Sequence, residues 1–464
     1  MATVTQTRKE FPVVTRGQYK LPPGLKLNLP FYVTRKFFNP GDPIKLFEHL
    51  QATYGSMSHY RIATSDVVVV HEPEFIREIL INQADKFIKE RTQRRMKILL
   101  GNGLITSDGE FHKRQRRIAA PAFHRQRIQA YGEVMVDRAL ALREEWREGQ
   151  EVGALAEMMR VALQIVARTL LNTDVTAEVR QINDEVNAIM GLYNFLVALP
   201  RAEAYLNWPI PGLMRFKRAR KRLDAVVHRI IAEHRADNVD RGDLLSMLLQ
   251  SRDDEADHSG MTDEQVRDEI LTIFLAGYET VATALTWTWY LLAQNPEAES
   301  RMHEELDRVL QGRAPTLDDL PQLRYTEMVL AESMRLYPPA WAMGRQATED
   351  VELGPYRLPA GSYVFFSQYM IQRNPEFWPK PLEFRPERFS PEEKAGRSKF
   401  VYFPFGAGGR QCIGEAFAWM EGVLVLATLA QKWRLRLVPG QTIGLQPKIT
   451  LRPKPEIRMI PELR

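Results

Sequence analysis

Cysteine is nearly missing from this chain of 464 residues; Cys412 is the only one. A single thiol excludes an intrachain disulfide and any zinc or iron–sulfur centre built from several thiolates. Long apolar runs are scarce too. Met1 to Pro12 is polar and lacks the apolar core of a signal peptide, which predicts a reducing, cytoplasmic setting. One stretch, Ile273 to Ala293, is long enough at about 20 residues to cross a bilayer. It carries Glu279 and several threonines inside it, and the charged Asp263 to Asp268 leads into it. A charge near the centre of a lone span costs about 2.5–3.5 kcal/mol on insertion scales, so the expectation is a buried central helix and no transmembrane anchor. Charge of one sign is not in excess either. With 63 Lys plus Arg against 58 Asp plus Glu, the net charge is +5, which gives no reason to expect nucleic acid as a partner. A local exception is Arg215 to Arg222, six cations in eight positions. It reads as solvated helix surface in preference to a nucleic-acid or membrane contact.

What is present is mostly helical. Prolines at 22, 23, 30, 40 and 43 break the opening fifty residues, which are expected to wander over the surface before a helix at Ile44 to Tyr54. Asp66 to His71 reads as a strand. Apolar residues at three- and four-residue steps then predict helices over Glu74–Asn82, Glu110–Ala120, Arg127–Glu148 and Glu157–Leu171, with a short one at Asp243–Gln250. Thr262 and Gln265 form a capping-box pattern, and Asn295-Pro296 ends the helix that follows. That helix runs about 32 residues, or about 48 Å, long enough to cross a whole core. Helices at Glu297–Leu310 and Tyr325–Leu336 follow. Short strands are expected at Val351–Leu353, Tyr356–Leu358 and Ser362–Tyr369, then an irregular stretch from Asn374 to Pro391. A last helix at Ile413–Gln431 and a small C-terminal sheet complete a single domain over residues 1–464, mainly α with a minor β region.

Chemistry concentrates around the cysteine. Phe405-Gly406-Ala407-Gly408-Gly409-Arg410-Gln411-Cys412-Ile413-Gly414 puts four glycines about one thiol, just before a helix. Glycine allows positive φ and close backbone approach. The helix start places free N–H groups and positive dipole near the sulfur, which favours thiolate. A lone thiolate with amide donors and no second protein ligand suits the axial position on a heme iron. The alternative for any single cysteine is a buried structural thiol; the glycines, Arg410 and the helix start weigh against it.

These residues resemble the heme-binding loop of the cytochrome P-450 (heme-thiolate monooxygenase) family, matching Phe405-x-x-Gly408-x-Arg410-x-Cys412-x-Gly414 at every fixed position. Three more family motifs stand in the family's order: Ala276-Gly277-Tyr278-Glu279-Thr280 as the oxygen-activation stretch of the long helix, Glu332-Ser333-Met334-Arg335 as ExxR, and Pro386-Glu387-Arg388-Phe389 as PERF. One such motif says little; four in order across nearly the whole chain are specific. The resemblance implies the P-450 fold, heme b held by Cys412, and O2 as co-substrate. One oxygen atom enters a C–H or C=C bond of an apolar small molecule, with electrons from NAD(P)H passed through separate proteins.

Residue by residue, the resemblance implies that Thr280 and Glu279 manage protons at the reacting oxygen, beside Ala276 and Gly277, where the helix opens locally. Thr280 bonding back to the Ala276 carbonyl would be the purely structural alternative. Phe405 and Gly406 border the heme, and His112, Arg116, Arg345 and Arg410 meet its propionates. His112 departs from the family's usual Trp, as in some bacterial members, and makes the propionate contact pH-dependent. Glu332, Arg335 and Arg388 serve folding and heme retention. By family position the substrate pocket takes Leu99, Leu104, Ile105, Phe195, Leu196, Ala276, Val281, Ala340, Trp341, Met343, Ile449 and Thr450. The acid–alcohol pair and the cysteine loop resemble fatty-acid-oxidising members more than camphor-type ones, and a fatty-acid-like, terpenoid or steroid substrate is implied. The chain has no flavin or ferredoxin segment, so a ferredoxin or flavodoxin with its reductase is the expected partner of a monomer. Lys113, Arg114, Arg117, Lys432 and Arg434 would offer it a basic face, although Arg114 and Arg117 taken singly read as solvated surface. The competing function is a heme-thiolate sensor or ligand-binding protein without turnover.

Overall fold

The computed structural model describes residues 14–29, 42–62, 64–171, 211–237, 239, 241–253 and 259–464; Phe195 and Leu196 lie outside them. Ten helices of seven residues or more are numbered along the described chain. They are α1 (Pro43–Tyr54), α2 (Gly109–Ala119), α3 (Arg125–Glu145), α4 (Ala154–Leu171) and α5 (Pro211–Asp237). After them come α6 (Leu244–Gln250), α7 (Asp263–Leu292), α8 (Pro296–Leu310), α9 (Arg324–Leu336) and α10 (Glu415–Ala430). The chain forms two compact units, one of residues 1–90, 331–412 and 443–455, the other of 91–330, 413–442 and 456–464.

The first unit holds most of the β structure. Its six-stranded sheet has the spatial order Gly24–Leu29, Met57–Ile62, Ser65–Val70, Tyr363–Phe366, Met343–Ala347, Phe87–Lys89. Tyr363–Phe366 runs parallel to Val67–Val70, with Tyr363 opposite Val67, and antiparallel to Met343–Gln346, with Tyr363 opposite Gln346. Val67 to Val70 are buried throughout, as a central strand covered on both faces requires. A four-stranded sheet joins Val14–Arg16 and Tyr19–Leu21 to Tyr356–Leu358 and Val351–Leu353. Where it is described, the opening segment does not wander over the surface: residues 14–29 hold three strands, and Leu21 is buried. Pro22 and Pro23 sit between strands, where no ladder N–H is needed, and Pro23 O accepts from His59 N at 3.0 Å. The helix expected over Glu74–Asn82 widens after Arg77 into a π turn, Glu78–Asn82.

The second unit is helical, built on α7. The capping box forms as expected, with Thr262 N donating to Gln265 Oε1 at 3.0 Å and Gln265 N to Thr262 Oγ1 at 3.3 Å. Asp263 and Glu264 complement the helix dipole in the first turn. The helix is 30 residues long, and 78% of its most apolar window is buried. It is a core helix. α4 packs beside it, and α10 packs on α3, with Tyr131 and Phe417 edge-on at 6.1 Å. A three-stranded sheet of Trp433–Leu437, Arg458–Leu463 and Val152–Gly153 closes this unit.

Candidate active site

In the first unit the cysteine loop is a closed turn. Gly406 N donates to Phe403 O at 2.9 Å, Gln411 N to Gly408 O at 3.0 Å and Cys412 N to Phe405 O at 2.9 Å. Gly408 has φ +71°, and a Cβ there would stand 2.2 Å from Leu80 O, so only glycine fits both the dihedral and the approach. The Cys412 thiol is exposed, which removes the buried structural alternative. Among predicted pocket residues, Met343 comes to this loop, its Cε 3.5 Å from where a Gly406 Cβ would be. The Ala340–Trp341 and Ile449–Thr450 segments come together: Trp341 Nε1 donates to Lys448 O at 2.8 Å and Leu451 N to Pro339 O at 3.0 Å. Arg345 is buried, its guanidinium donating to Gly344 O at 2.8 Å, and Arg410 is half-buried.

A buried charge cluster braces the same unit. Arg335 Nε and Nη2 donate to Glu332 at 2.6 and 2.8 Å. Its remaining N–H groups reach Gln372 O at 2.7 Å, Pro381 O at 2.8 Å and Glu383 O at 3.1 Å. All five guanidinium donors are thus used, and the plane lies over Trp378 at 5.0 Å. Arg388 Nε stands 3.3 Å from Glu332 and its Nη2 donates to Lys380 O at 2.8 Å. Burial pushes the Glu332 carboxyl upward, while Arg335, Arg385 N–H and Arg388 pull it back. One i, i+3 pair on α9 thereby ties down the irregular segment from 372 to 388.

In the second unit α7 is buried from Val266 onward except for a stripe at Leu275, Ala276, Gly277 and Thr280, and again at Tyr290. Ala276 and Gly277 stand four and three residues before Thr280, on its side of the helix. Thr280 Oγ1 donates to Ala276 O at 2.7 Å, so the back-bond weighed above is present, and the helix continues through Gly277 without the expected local opening. Gly277 lies against α4, where a Cβ would meet Val166 Cγ2 at 3.1 Å. Glu279 and Val281 are buried.

The segment carrying Leu99, Leu104 and Ile105 is pinned to the start of α7 by residues that sequence reasoning missed. Asn102 N donates to Asp268 Oδ2 at 2.6 Å, Leu104 N to Glu269 Oε2 at 3.0 Å, and Arg267 Nη2 to Leu99 O at 3.3 Å. Their one sequence signal is three consecutive charges, Arg267-Asp268-Glu269, inside an apolar helix.

On α2, His112 is buried and Arg116 half-buried, one turn apart on one face. Arg114 and Arg117 point roughly the opposite way, at 100° per residue. They close on Asp253, which is 0% exposed: Arg117 Nε and Nη2 donate at 2.9 and 2.7 Å, and Arg114 Nε stands at 3.1 Å. This corrects the solvated-surface expectation for both, and the basic face with it. Lys113 pairs with Glu110 and Lys432 with Glu144, each at 2.6 Å.

The donor chemistry fits an iron porphyrin. Among the described residues no group of three or more His, Cys, Asp or Glu could hold a metal ion; the exposed thiol of Cys412 is a donor that a porphyrin-bound iron would take. Each unit by itself carries cations of the kind that carboxylates on a macrocycle need: buried Arg345 and half-buried Arg410 in the first, buried His112 and half-buried Arg116 in the second.

A fold that is mainly helical with minor sheets, an exposed thiol on a glycine turn, and a long core helix carrying Glu279 beside Thr280 fit a heme-thiolate oxygenase. Comparison with known proteins agrees. Residues 22–460 match the family model for Cytochrome P450, and the chain belongs to that family. It is 39% identical over 427 residues to Cyclooctatin synthase of Streptomyces melanosporofaciens, covering 91% of this chain and 92% of the relative. Cyclooctat-9-en-7-ol 5-monooxygenase of the same organism is 37% identical, with 86% and 87% covered. Pentalenene oxygenase of Streptomyces avermitilis is 36% identical, with 86% and 88% covered. The protein is a monooxygenase using heme b, O2 and electrons from NAD(P)H delivered through redox partners.

Proposed function

We infer that this monooxygenase oxidises an apolar, terpenoid-like small molecule, with Cys412 as the axial thiolate and Thr280 with Glu279 as the acid–alcohol pair. The observation that carries the reading is the half-buried stripe of Leu275, Ala276, Gly277 and Thr280 on α7, whose other residues from Val266 to Trp289 are buried. Ala276 and Gly277 are small, and Thr280 alone in the stripe bears a hydroxyl. The relatives named for pentalenene and cyclooctat-9-en-7-ol support a hydrocarbon framework as substrate.

The heme, once bound, supplies the activated oxygen that enters a C–H or C=C bond. By family position Phe405, Gly406, Ala276 and Gly277 would border it, and Arg345, Arg410, His112 and Arg116 would neutralise its carboxylates. The Thr280 hydroxyl spends its proton on Ala276 O in this rotamer. Rotation about χ1 releases that bond and lets the hydroxyl donate to the reacting oxygen. Glu279, buried one residue away, holds and passes the proton that replaces it. Leu99, Leu104, Ile105, Val281, Ala340, Trp341, Met343, Ile449 and Thr450 exclude water and shape the apolar pocket. The functional unit is the whole chain, 1–464, acting as a cytoplasmic monomer reduced by a ferredoxin or flavodoxin and its reductase. Glu332, Arg335 and Arg388 keep the heme in place through the segment they brace.

The test is a screen of cyclic hydrocarbons for displacement of water from the ferric iron, followed by turnover with a surrogate ferredoxin and reductase. Oxygen-dependent hydroxylated or epoxidised product is expected. Tight binding across the screen with no product under any reductant would favour the sensor reading instead.

A further inference from the structure

The first three turns of α5 carry charge that the rest of the chain does not. From Arg215 to Arg222 six of eight residues are Lys or Arg and none is acidic; taking these six from the net charge of +5 leaves −1 for everything else. Leu213, Phe216, Ala219 and Leu223 are buried and anchor the helix, so Arg215, Lys217, Arg218, Lys221 and Arg222 are exposed on the other side. Met214, 42% exposed, shares the outward row with Arg218 and Lys221 at i, i+4 and i+7. The acid that follows does not offset this row: Asp224 stands 3.6 Å from Arg220 and is bonded by Arg267 of α7. Arg215 to Arg222 spans about 10 Å of helix, close to the Debye length of about 8 Å at physiological ionic strength. An approaching anionic surface meets these cations as one patch.

We propose that this outer face of α5 docks the protein on an anionic phospholipid bilayer. Four to eight Lys or Arg on an amphipathic helix is the composition that acidic headgroups attract. An apolar side chain set among the cations suits entry into the headgroup layer, whereas a nucleic-acid backbone makes no use of it. An apolar substrate partitions into lipid, and docking holds the enzyme where that substrate collects. This last argument rests on the apolar-substrate reading; the charge argument does not.

The experiment floats the holoenzyme, without substrate, with vesicles of phosphatidylcholine alone or mixed equally with phosphatidylglycerol, at low and high salt. The wild type is expected to float with the mixed vesicles only, and less at high salt. Each surface cation contributes roughly fivefold, so Arg215→Gln/Arg218→Gln/Lys221→Gln is expected to weaken binding on the order of 100-fold. Removing three exposed lysines outside α5, as Lys380→Gln/Lys394→Gln/Lys454→Gln, leaves binding unchanged; unaltered visible and circular dichroism spectra show that both variants are folded. The proposal is overturned if neutral vesicles bind as well as mixed ones, if the α5 variant floats like the wild type, or if the control variant loses as much. It is also overturned if vesicles do not bind while the α5 variant loses affinity for an acidic ferredoxin or for duplex DNA. Substrate oxidation enters none of these outcomes, so they stand apart from any failure of the functional reading.

Discussion

Glu332→Ala is the perturbation whose cost the structure states most fully. Glu332 and Arg335 are both 0% exposed and Arg388 is 2% exposed. Removing the carboxylate deprives Arg335 of the acceptor for two of its five donors, leaves Arg385 N without its partner at 2.9 Å, and strands two buried guanidinium charges. Breaking a buried pair from one side costs about 3–5 kcal/mol, a large share of the roughly 5–15 kcal/mol that holds a folded protein. At 1.36 kcal/mol per tenfold, the folded-to-unfolded ratio falls roughly 100- to 5,000-fold. Because Arg335 carries the loss into Gln372, Pro381 and Glu383, the segment from 372 to 388 loosens and heme leaves. Urea unfolding followed by circular dichroism reads the first effect and the heme-to-protein ratio reads the second. Arg335→Lys should fail nearly as badly, since an ammonium has three donors for five acceptors. A Glu332→Ala protein with an unchanged unfolding midpoint and a full complement of heme would refute the reasoning.

Other expectations follow from separate parts of the molecule. Thr280→Ala should lower product formed per NAD(P)H and raise peroxide; an unchanged ratio without extra peroxide would remove the proton role. Asp253→Asn should release Arg114 and Arg117 and allow α2 to turn, so that heme transfers faster to apomyoglobin from the variant than from the wild type; equal transfer rates would show that the clamp does not orient His112 and Arg116. His71 and His303 are buried with both ring nitrogens lacking hydrogen bonds. Burial lowers His71 to about 4, and burial with Arg464, Arg434 and Arg436 lowers His303 to about 3. Between pH 6.5 and 4 the unfolded chain binds protons that the native one refuses. Stability is therefore full above about pH 6.5 and falls as pH falls, by about 1.4 kcal/mol per pH unit for each histidine. His303→Leu should flatten that slope in urea midpoints measured from pH 7 to 5, and an unchanged slope would contradict it.

What the sequence made legible was local. The capping box of Thr262 and Gln265, the Glu332–Arg335 pair and the glycine turn before Cys412 each lie within a few residues, where periodicity and φ requirements speak directly. The opening strands were hidden because their partners are remote: Lys20 pairs with Arg357 and Gly24 with His59, and prolines beside them read as loop. Asp253 was hidden for the same reason, since its arginines stand 136 residues away or farther. Of the basic face expected from Lys113, Arg114, Arg117, Lys432 and Arg434, Arg114, Arg117 and Lys432 meet carboxylates that other elements bring in, which one-dimensional charge counting cannot see, while Lys113 pairs with Glu110 on its own helix. On α5 the acid nearest the run, Asp224, is shared between Arg220 and Arg267, while Arg215, Arg218 and Lys221 face outward.

The bond from Cys412 sulfur to heme iron underlies the functional account, and carbon monoxide tests it most directly. Dithionite-reduced protein exposed to the gas should show a Soret maximum close to the position that gives the family its name, and Cys412→Ser should abolish that band in a folded protein. A folded, pigmented wild-type preparation that never develops it would contradict the account.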